Sequence, residues 1–245
     1  MALLSVNVNK VATLRNSRGG AVPDMLRAVD AILGAGVRGI TVHPREDERH
    51  ITARDVLDIH AHLRSVDPSV EYNIEGDPRP ELMTRVLELR PTQCTLVPVR
   101  PGEITSEAGW DPQQGASLPP IIDELKAAGI RVSVFVEPNE AAIAWAADIG
   151  ADRIELYTEP YARAFERGQG EASFAEYAKA AEFAHARGLG INAGHDLDLA
   201  NLPLFRELPH LDEVSIGHAI MSEALFCGLA EVVSRYLEVL APTRR

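Results

Sequence analysis

The chain has 245 residues, 46% of them hydrophobic and 24% charged, an ordinary globular composition with length enough for one large α/β domain over residues 1–245. Its formal charge of −12 argues against general affinity for nucleic acid or anionic membrane, both of which need a positive field, yet leaves room for a small anion in a local basic pocket. No apolar run is long enough to span a bilayer and Met1-Ala2-Leu3 opens no charged-then-apolar leader, so a cytoplasmic protein is expected.

In chain order, short runs rich in Val, Ile, Leu and Thr predict strands over Leu3–Asn9, Gly39–Pro44, Val70–Gly76, Gln93–Val99, Arg131–Pro138, Arg153–Pro160, Gly190–His195 and Glu213–Ile220. Helical spacing fills the gaps. "PDMLRAVDAILGAG" starts at Pro23 and stops at Gly34 or Gly36, "TARDVLDIHAHL" offers Thr52 as N-cap with Asp55 three residues on, "EYAKAAEFAHARG" closes on Gly188, and a last helix runs from about Ser222 to Leu240. Cys94 and Cys227 lie in apolar patterns without metal-ligand spacing, which predicts reduced core thiols.

Eight β/α repeats in this length fit a closed (β/α)₈ barrel. The rival, a doubly wound open sheet, usually has fewer strands and a glycine-rich first turn, which "VNVNKVATLRNSRGG" does not supply. Three long connections, Asn9–Val22, Arg100–Pro120 and Glu159–Ala172, all follow strands and so belong on the carboxyl-terminal face, where long loops commonly cover an active site.

In a barrel the strand ends converge on one mouth, and here they carry Asn7, Asn9 and Lys10, then His43, Arg45 and nearby His50, then Glu75, Glu155, His195, and finally Gly217 and His218. Any one of them could merely cap a helix or pair with a neighbour; their conjunction points to acid–base work by His43, Glu75, Glu155 and His195. "NAGHD" and "SIGHAIMSEA" set flexible backbone before helix starts, where free N–H groups favour phosphate, although glycine can equally serve close strand packing. Arg45, His50 and Arg18 suggest a second anion pocket, and two pockets imply two phosphorylated substrates. No Ser-His-Asp pattern, P-loop, CxxC or HExxH is present, so no metal or cofactor is expected, and His60 and His62 are read as surface residues. Lys10 is the single strand-end candidate for a Schiff base.

"VNVNKVATLRNSRGG", "GITVHPREDERHIT", "LVPVRPGEITSEAGWD", "INAGHDL" and "SIGHAI" resemble, in order and over nearly the whole chain, segments of the pyridoxine 5′-phosphate synthase family. The resemblance implies a (β/α)₈ barrel with additional helices, assembled as a homo-octamer. It also implies condensation of 1-deoxy-D-xylulose 5-phosphate with 3-amino-2-oxopropyl phosphate to pyridoxine 5′-phosphate, phosphate and water. By matched position it makes His43 and Glu75 proton acceptors, His195 a proton donor and Glu155 a stabiliser of charged intermediates. Asn7, Arg18, Gly217 and His218 would hold the aminoketone phosphate, and Arg45, His50 and Thr105 the deoxyxylulose phosphate. The chain departs from the family's pattern at Asn9–Lys10, where that pattern has Asp-His, and at Asp196, where it has Gly. The first change bears on how the sugar phosphate is held. The second sets a carboxylate beside a phosphate loop, where it must turn away for the backbone N–H to bind. A barrel isomerase or aldolase, and a non-catalytic phosphate-binding protein, remain open beside the synthase.

Overall fold

A computed structural model describes residues 2–99 and 108–242 of the chain. The strands β1 (Leu3–Asn7), β2 (Gly39–Val42), β3 (Glu71–Gly76), β4 (Gln93–Leu96), β5 (Arg131–Val136), β6 (Arg153–Leu156), β7 (Gly190–Ala193) and β8 (Leu211–Ile216) pair in parallel in sequence order. β8 returns to β1, with Leu3 opposite Glu213 and Val6 opposite Ile216, and closes the barrel. This is the (β/α)₈ architecture the sequence period predicts.

The helices follow the strands: α1 (Asn9–Asn16) and α2 (Met25–Gly34) after β1, α3 (Ala53–Val66) after β2, α4 (Pro80–Leu89) after β3 and α5 (Leu118–Ala127) after β4. Next come α6 (Glu140–Asp148) after β5, α7 (Glu159–Glu166) and α8 (Gly170–Ala186) after β6, the short α9 (Leu202–Phe205) after β7, and α10 (His218–Cys227) and α11 (Leu229–Leu240) after β8. Three of these, α1, α7 and α10, are additional to the one-helix-per-strand plan, and each leaves the carboxyl end of its strand. Two of the three long connections are therefore largely helix. The third falls partly on residues 100–107, and Thr105 with it, outside the described residues.

Strand ends are corrected accordingly. Asn9 and Lys10 open α1 and do not extend β1, β7 stops at Ala193, and β8 stops at Ile216 because Gly217 and His218 already turn into α10. The single helix expected over about Ser222–Leu240 is two helices, divided at Gly228, whose φ of 92° lies where a side chain would be strained. At α3 the expected cap is present. Thr52 Oγ1 accepts from the Asp55 N–H at 3.2 Å while Asp55 Oδ2 accepts from the Thr52 N–H at 2.8 Å, a reciprocal box worth about 1 kcal/mol. The same carboxylate takes the Arg15 guanidinium at 2.8 Å and so ties α1 to α3.

Alternation along the strands decides what lies inside. Outward residues such as Val6, Ile40, Ile74, Leu96, Val134, Ile154 and Val214 are fully buried against the helices, each contributing about 1.5–3 kcal/mol of transfer free energy. Cys94 belongs to this layer, its thiol pushed up to about 12 by burial. Cys227 does not: it is exposed at the end of α10, against the expectation of a core thiol. Inward residues are polar around the barrel, and Ser5, Thr41, Asn73, Thr95, Ser133, Glu155, Asn192 and Glu213 are all buried.

Candidate active site

Much of the polar interior is one hydrogen-bonded ladder, although the Ser133 and Ser215 hydroxyls are buried without a partner among the described residues. At its floor Arg131 pairs with Glu71, and Arg153 lies 3.6 Å from Glu213. Gln93 accepts from Arg131 Nε at 2.8 Å and from Asn192 at 3.3 Å, and donates to Thr95 at 3.4 Å. Thr95 donates to Asn73 Oδ1 at 3.0 Å, and Asn73 Nδ2 reaches Thr41 at 3.3 Å and Glu75 Oε1 at 3.4 Å. Buried polar groups cost little only when satisfied in this way. The ladder therefore delivers Glu75 to the mouth in a fixed position.

At the mouth His43 Nδ1 stands 3.8 Å from Glu75 Oε2, and Asn7 Nδ2 donates to the same oxygen at 3.5 Å. Asn9 is committed locally: its Oδ1 accepts the His43 N–H at 2.9 Å, strapping the end of β1 to that of β2. Arg79, which the sequence did not single out, donates to the Pro44 carbonyl at 2.7 Å and steadies the same strand end. His43 Nε2 is buried without a hydrogen-bond partner among the described residues.

Burial sets the protonation states. It drives His43 down to about 3, helped by His50, Arg45, Arg79 and His195, so the ring is neutral. Glu75 is raised well above its usual range, first by burial and then by the charges of Glu155 and Glu213. Glu155 is pushed up to about 7 by burial and by Glu213, with His195 opposing. These groups come from the end of β2, from β3 and β6 and from the turn after β7, all at the carboxyl end of the barrel, near enough for their charges to act on one another. Tyr157 and Phe135, with Val97, form an apolar wall beside it, and the Tyr157 and His195 rings lie 6.1 Å apart.

The rim is basic. Arg45 is buried beside His43, and His50, whose ring centroid is 6.4 Å from that of His43, is driven down to about 4 by burial, Lys10 and Arg45. His50 Nδ1 accepts the Ile51 N–H at 2.9 Å, which places the proton of the neutral ring on Nε2 as a donor. Lys10 is exposed in the first turn of α1, and Arg18 is exposed in the turn after it. Asn16 of α1 donates to the His50 carbonyl at 2.7 Å, which ties α1 to the His50 loop.

Gly217 and His218 begin α10, whose first turn has no side-chain cap. A Cβ on Gly217 would lie 2.8 Å from the Asn7 carbonyl oxygen, and one on Gly194 would lie 1.9 Å from that of Ser215, so both glycines also answer to strand packing. Asp196 turns its carboxylate onto His195, with Oδ2 2.6 Å from Nδ1. His60 and His62 are half-buried on the surface helix α3: one ring stacks on Tyr72 and the other meets Asp30 Oδ1 at 2.6 Å. Among the described residues no group of three or more His, Cys, Asp or Glu side chains could hold a metal ion, and no helix is long and apolar enough to cross a membrane.

Acid–base groups from several strands under a basic rim, at the carboxyl end of a closed (β/α)₈ barrel, make this an enzyme of the barrel class with a mouth suited to proton transfer. Residues 4–242 match the family model described as pyridoxal phosphate biosynthesis protein PdxJ. A pyridoxine 5′-phosphate synthase of Christiangramia forsetii is 51% identical over 242 residues, covering 98% of this chain and 100% of that one. Another, of Leptospira biflexa, is 48% identical over 254 residues, covering 98% of both. A solved structure from Aquifex aeolicus VF5 superposes with a TM-score of 0.67 at 13% identity over 98% of this chain and 93% of that one, a likeness of fold alone. The chain belongs to the PdxJ family, the pyridoxine 5′-phosphate synthases.

Proposed function

We propose that this mouth closes the pyridine ring of pyridoxine 5′-phosphate from 1-deoxy-D-xylulose 5-phosphate and 3-amino-2-oxopropyl phosphate, releasing phosphate and water. As a member of its family the chain is a ring-closing enzyme of vitamin B6 biosynthesis. The observation that carries the assignment of the site is the His43–Glu75 pair, 3.8 Å apart and held by Asn7 and Asn73, at the same end of the barrel as Glu155 and His195. Amine addition to a ketone, loss of water, elimination of phosphate, carbon–carbon closure and aromatisation each move protons, and several positioned acid–base groups serve them in turn.

His43, kept neutral by burial, accepts a proton at the unpartnered Nε2. Glu75, once ionised, is a strong base because the same burial raises its proton affinity. His195 donates, and Glu155 stabilises positive charge that develops on the condensing nitrogen. The uncapped first turn of α10 at Gly217 and His218, with Asn7 and Arg18, is assigned to the aminoketone phosphate. Arg45, the Nε2–H of His50, Lys10 and Thr105 are assigned to the sugar phosphate, with the Asp196 backbone N–H at the loop after β7. No cofactor enters this scheme. Large apolar side chains exposed on the additional helices and nearby, Leu14, Val22, Leu225 and Phe226, favour assembly into a homo-octamer, and the enzyme is assigned to the cytoplasm.

Product analysis with Glu75→Gln beside the wild type tests the proposal. The wild type should form pyridoxine 5′-phosphate only when both ketones are present, and the variant should lose about 10²–10⁴-fold in rate. Conversion of either ketone alone would favour an isomerase or aldolase instead.

A further inference from the structure

β7 ends at Ala193, and Gly194 lies so close to the backbone of Ser215 that no side chain would fit there. The turn is held from two sides. Thr158, between β6 and α7, donates to the His195 carbonyl, and Asn201, at the start of α9, donates to the Asp196 carbonyl at 3.1 Å. Within this frame Asp196 adopts φ of 64°, a conformation glycine takes freely and other residues seldom do, although Asp tolerates it better than most. Backbone requirements alone would be met by glycine. What the side chain adds is a contact: Asp196 Oδ2 lies 2.6 Å from His195 Nδ1.

The hydrogen bond from His195 comes first among the causes that hold the Asp196 carboxyl below its usual range, so the group is ionised and can only accept. The Nδ1 atom of His195 must then carry the proton of the pair. Nε2, on the other edge of the ring, is left as the atom that exchanges protons. Tyr157 packs beside the same ring, Glu155 of β6 and His43 at the end of β2 face it, and Arg163 of α7 and His218 of α10 act on Asp196.

We infer that Asp196 is a positioning residue for His195: its carboxylate fixes the Nδ1–H tautomer and the ring orientation, so that Nε2 is presented to the reacting molecules. The catalytic consequence rests on the role given to His195 above, whereas the tautomer does not. In chemical terms the Asp196 carboxylate takes no proton and touches no substrate; exposed beside the ring, it selects which ring nitrogen works, as a hydrogen-bonded carboxylate does for other catalytic histidines.

Solid-state ¹⁵N NMR of histidine-labelled protein without ligand, with the His195 signals assigned by their loss in His195→Gln, reads the tautomer directly. The neutral ring in the wild type should show the proton on Nδ1, and in Asp196→Gly it should revert to the Nε2–H form that an unconstrained histidine prefers. Glycine suits the backbone at this position, so the melting temperature should not fall. Asp196→Asn, which also tolerates the conformation, provides a second fold-preserving substitution and should weaken the Nδ1–H preference. In both variants kcat should fall about 10–100-fold while KM for each ketone phosphate changes less than about threefold, the pattern of a misplaced reacting group. The same tautomer in wild type and Asp196→Gly would overturn the inference, as would a tautomer change that leaves kcat intact. A wild type that shows the Nδ1–H tautomer but makes no pyridoxine 5′-phosphate would remove the assigned reaction and leave the pairing standing.

Discussion

Glu155→Gln tests whether the mouth is built at a cost in stability. The Glu155 carboxyl is 6% exposed and raised from 4.5 to about 7, chiefly because burial penalises its charge and secondarily because Glu213 is near. A carboxyl whose pKa is higher in the fold than in the unfolded chain favours folding at low pH, where both states are protonated. That contribution is lost as pH rises from the unfolded value through the folded one. The rise from 4.5 to about 7 corresponds to about 3 kcal/mol, lost between about pH 4.5 and pH 8.5. Glutamine keeps the shape and removes the charge. The stability difference between variant and wild type should therefore move by about 3 kcal/mol in the variant's favour between those two pH values, equivalent to about 6–12 °C in melting temperature for a chain of this size. Paired thermal melts at pH 4.5 and pH 8.5 measure it, alongside a fall in synthase activity at neutral pH. A difference that stays constant with pH would refute the argument that burial holds Glu155 against ionisation.

Other substitutions probe the rim and the outer surface. Arg45→Ala removes a charge-assisted phosphate partner worth about 1.5–3 kcal/mol, so KM for the sugar phosphate should rise about 10–100-fold with a smaller effect on the aminoketone; steady-state kinetics with each substrate varied in turn checks this. Lys10→Arg should retain measurable activity, since an exposed cation at the start of α1 can be replaced by another, whereas a Schiff-base amine could not; borohydride trapping of substrate on Lys10 would contradict it. Phe226 is 88% exposed, and the proposed homo-octamer predicts a light-scattering mass of eight 26.6-kDa chains that Phe226→Ser lowers to that of a smaller assembly.

The barrel itself could be read from the period of the sequence, because eight apolar runs with helical spacing between them leave few other closures. Strand ends were harder. Asn9-Lys10 continues the polarity of β1, and only the burial of Val11 and Ala12 beneath α1 shows that helix has already begun. Likewise "SIGHAIMSEA" runs from strand into helix with His218 as its only polar side chain between Ile216 and Ser222, whereas the division at Gly228 was signalled by the glycine itself, at φ of 92°. Convergence of His43, Glu75, Glu155 and His195 was visible as chemistry at strand ends.

The ladder beneath them was overlooked although its signal was present. Asn73 and Glu75, Gln93 and Thr95, Arg153 and Glu155, and Glu213 and Ser215 alternate with apolar neighbours at period two. Polar inward positions are unusual for a barrel interior, and attention to strand ends alone passed over them. The Asp196 carboxylate was expected to turn away from a phosphate loop. Its turn onto His195 depends on a backbone angle that no residue pattern discloses.

The central claim is that one mouth joins two ketone phosphates into one ring, and ³¹P NMR of the purified protein with both substrates tests it most directly. Both ester signals should decline together while pyridoxine 5′-phosphate and inorganic phosphate grow in equal amounts. Loss of a single ester, or ester consumption without inorganic phosphate, would contradict the account.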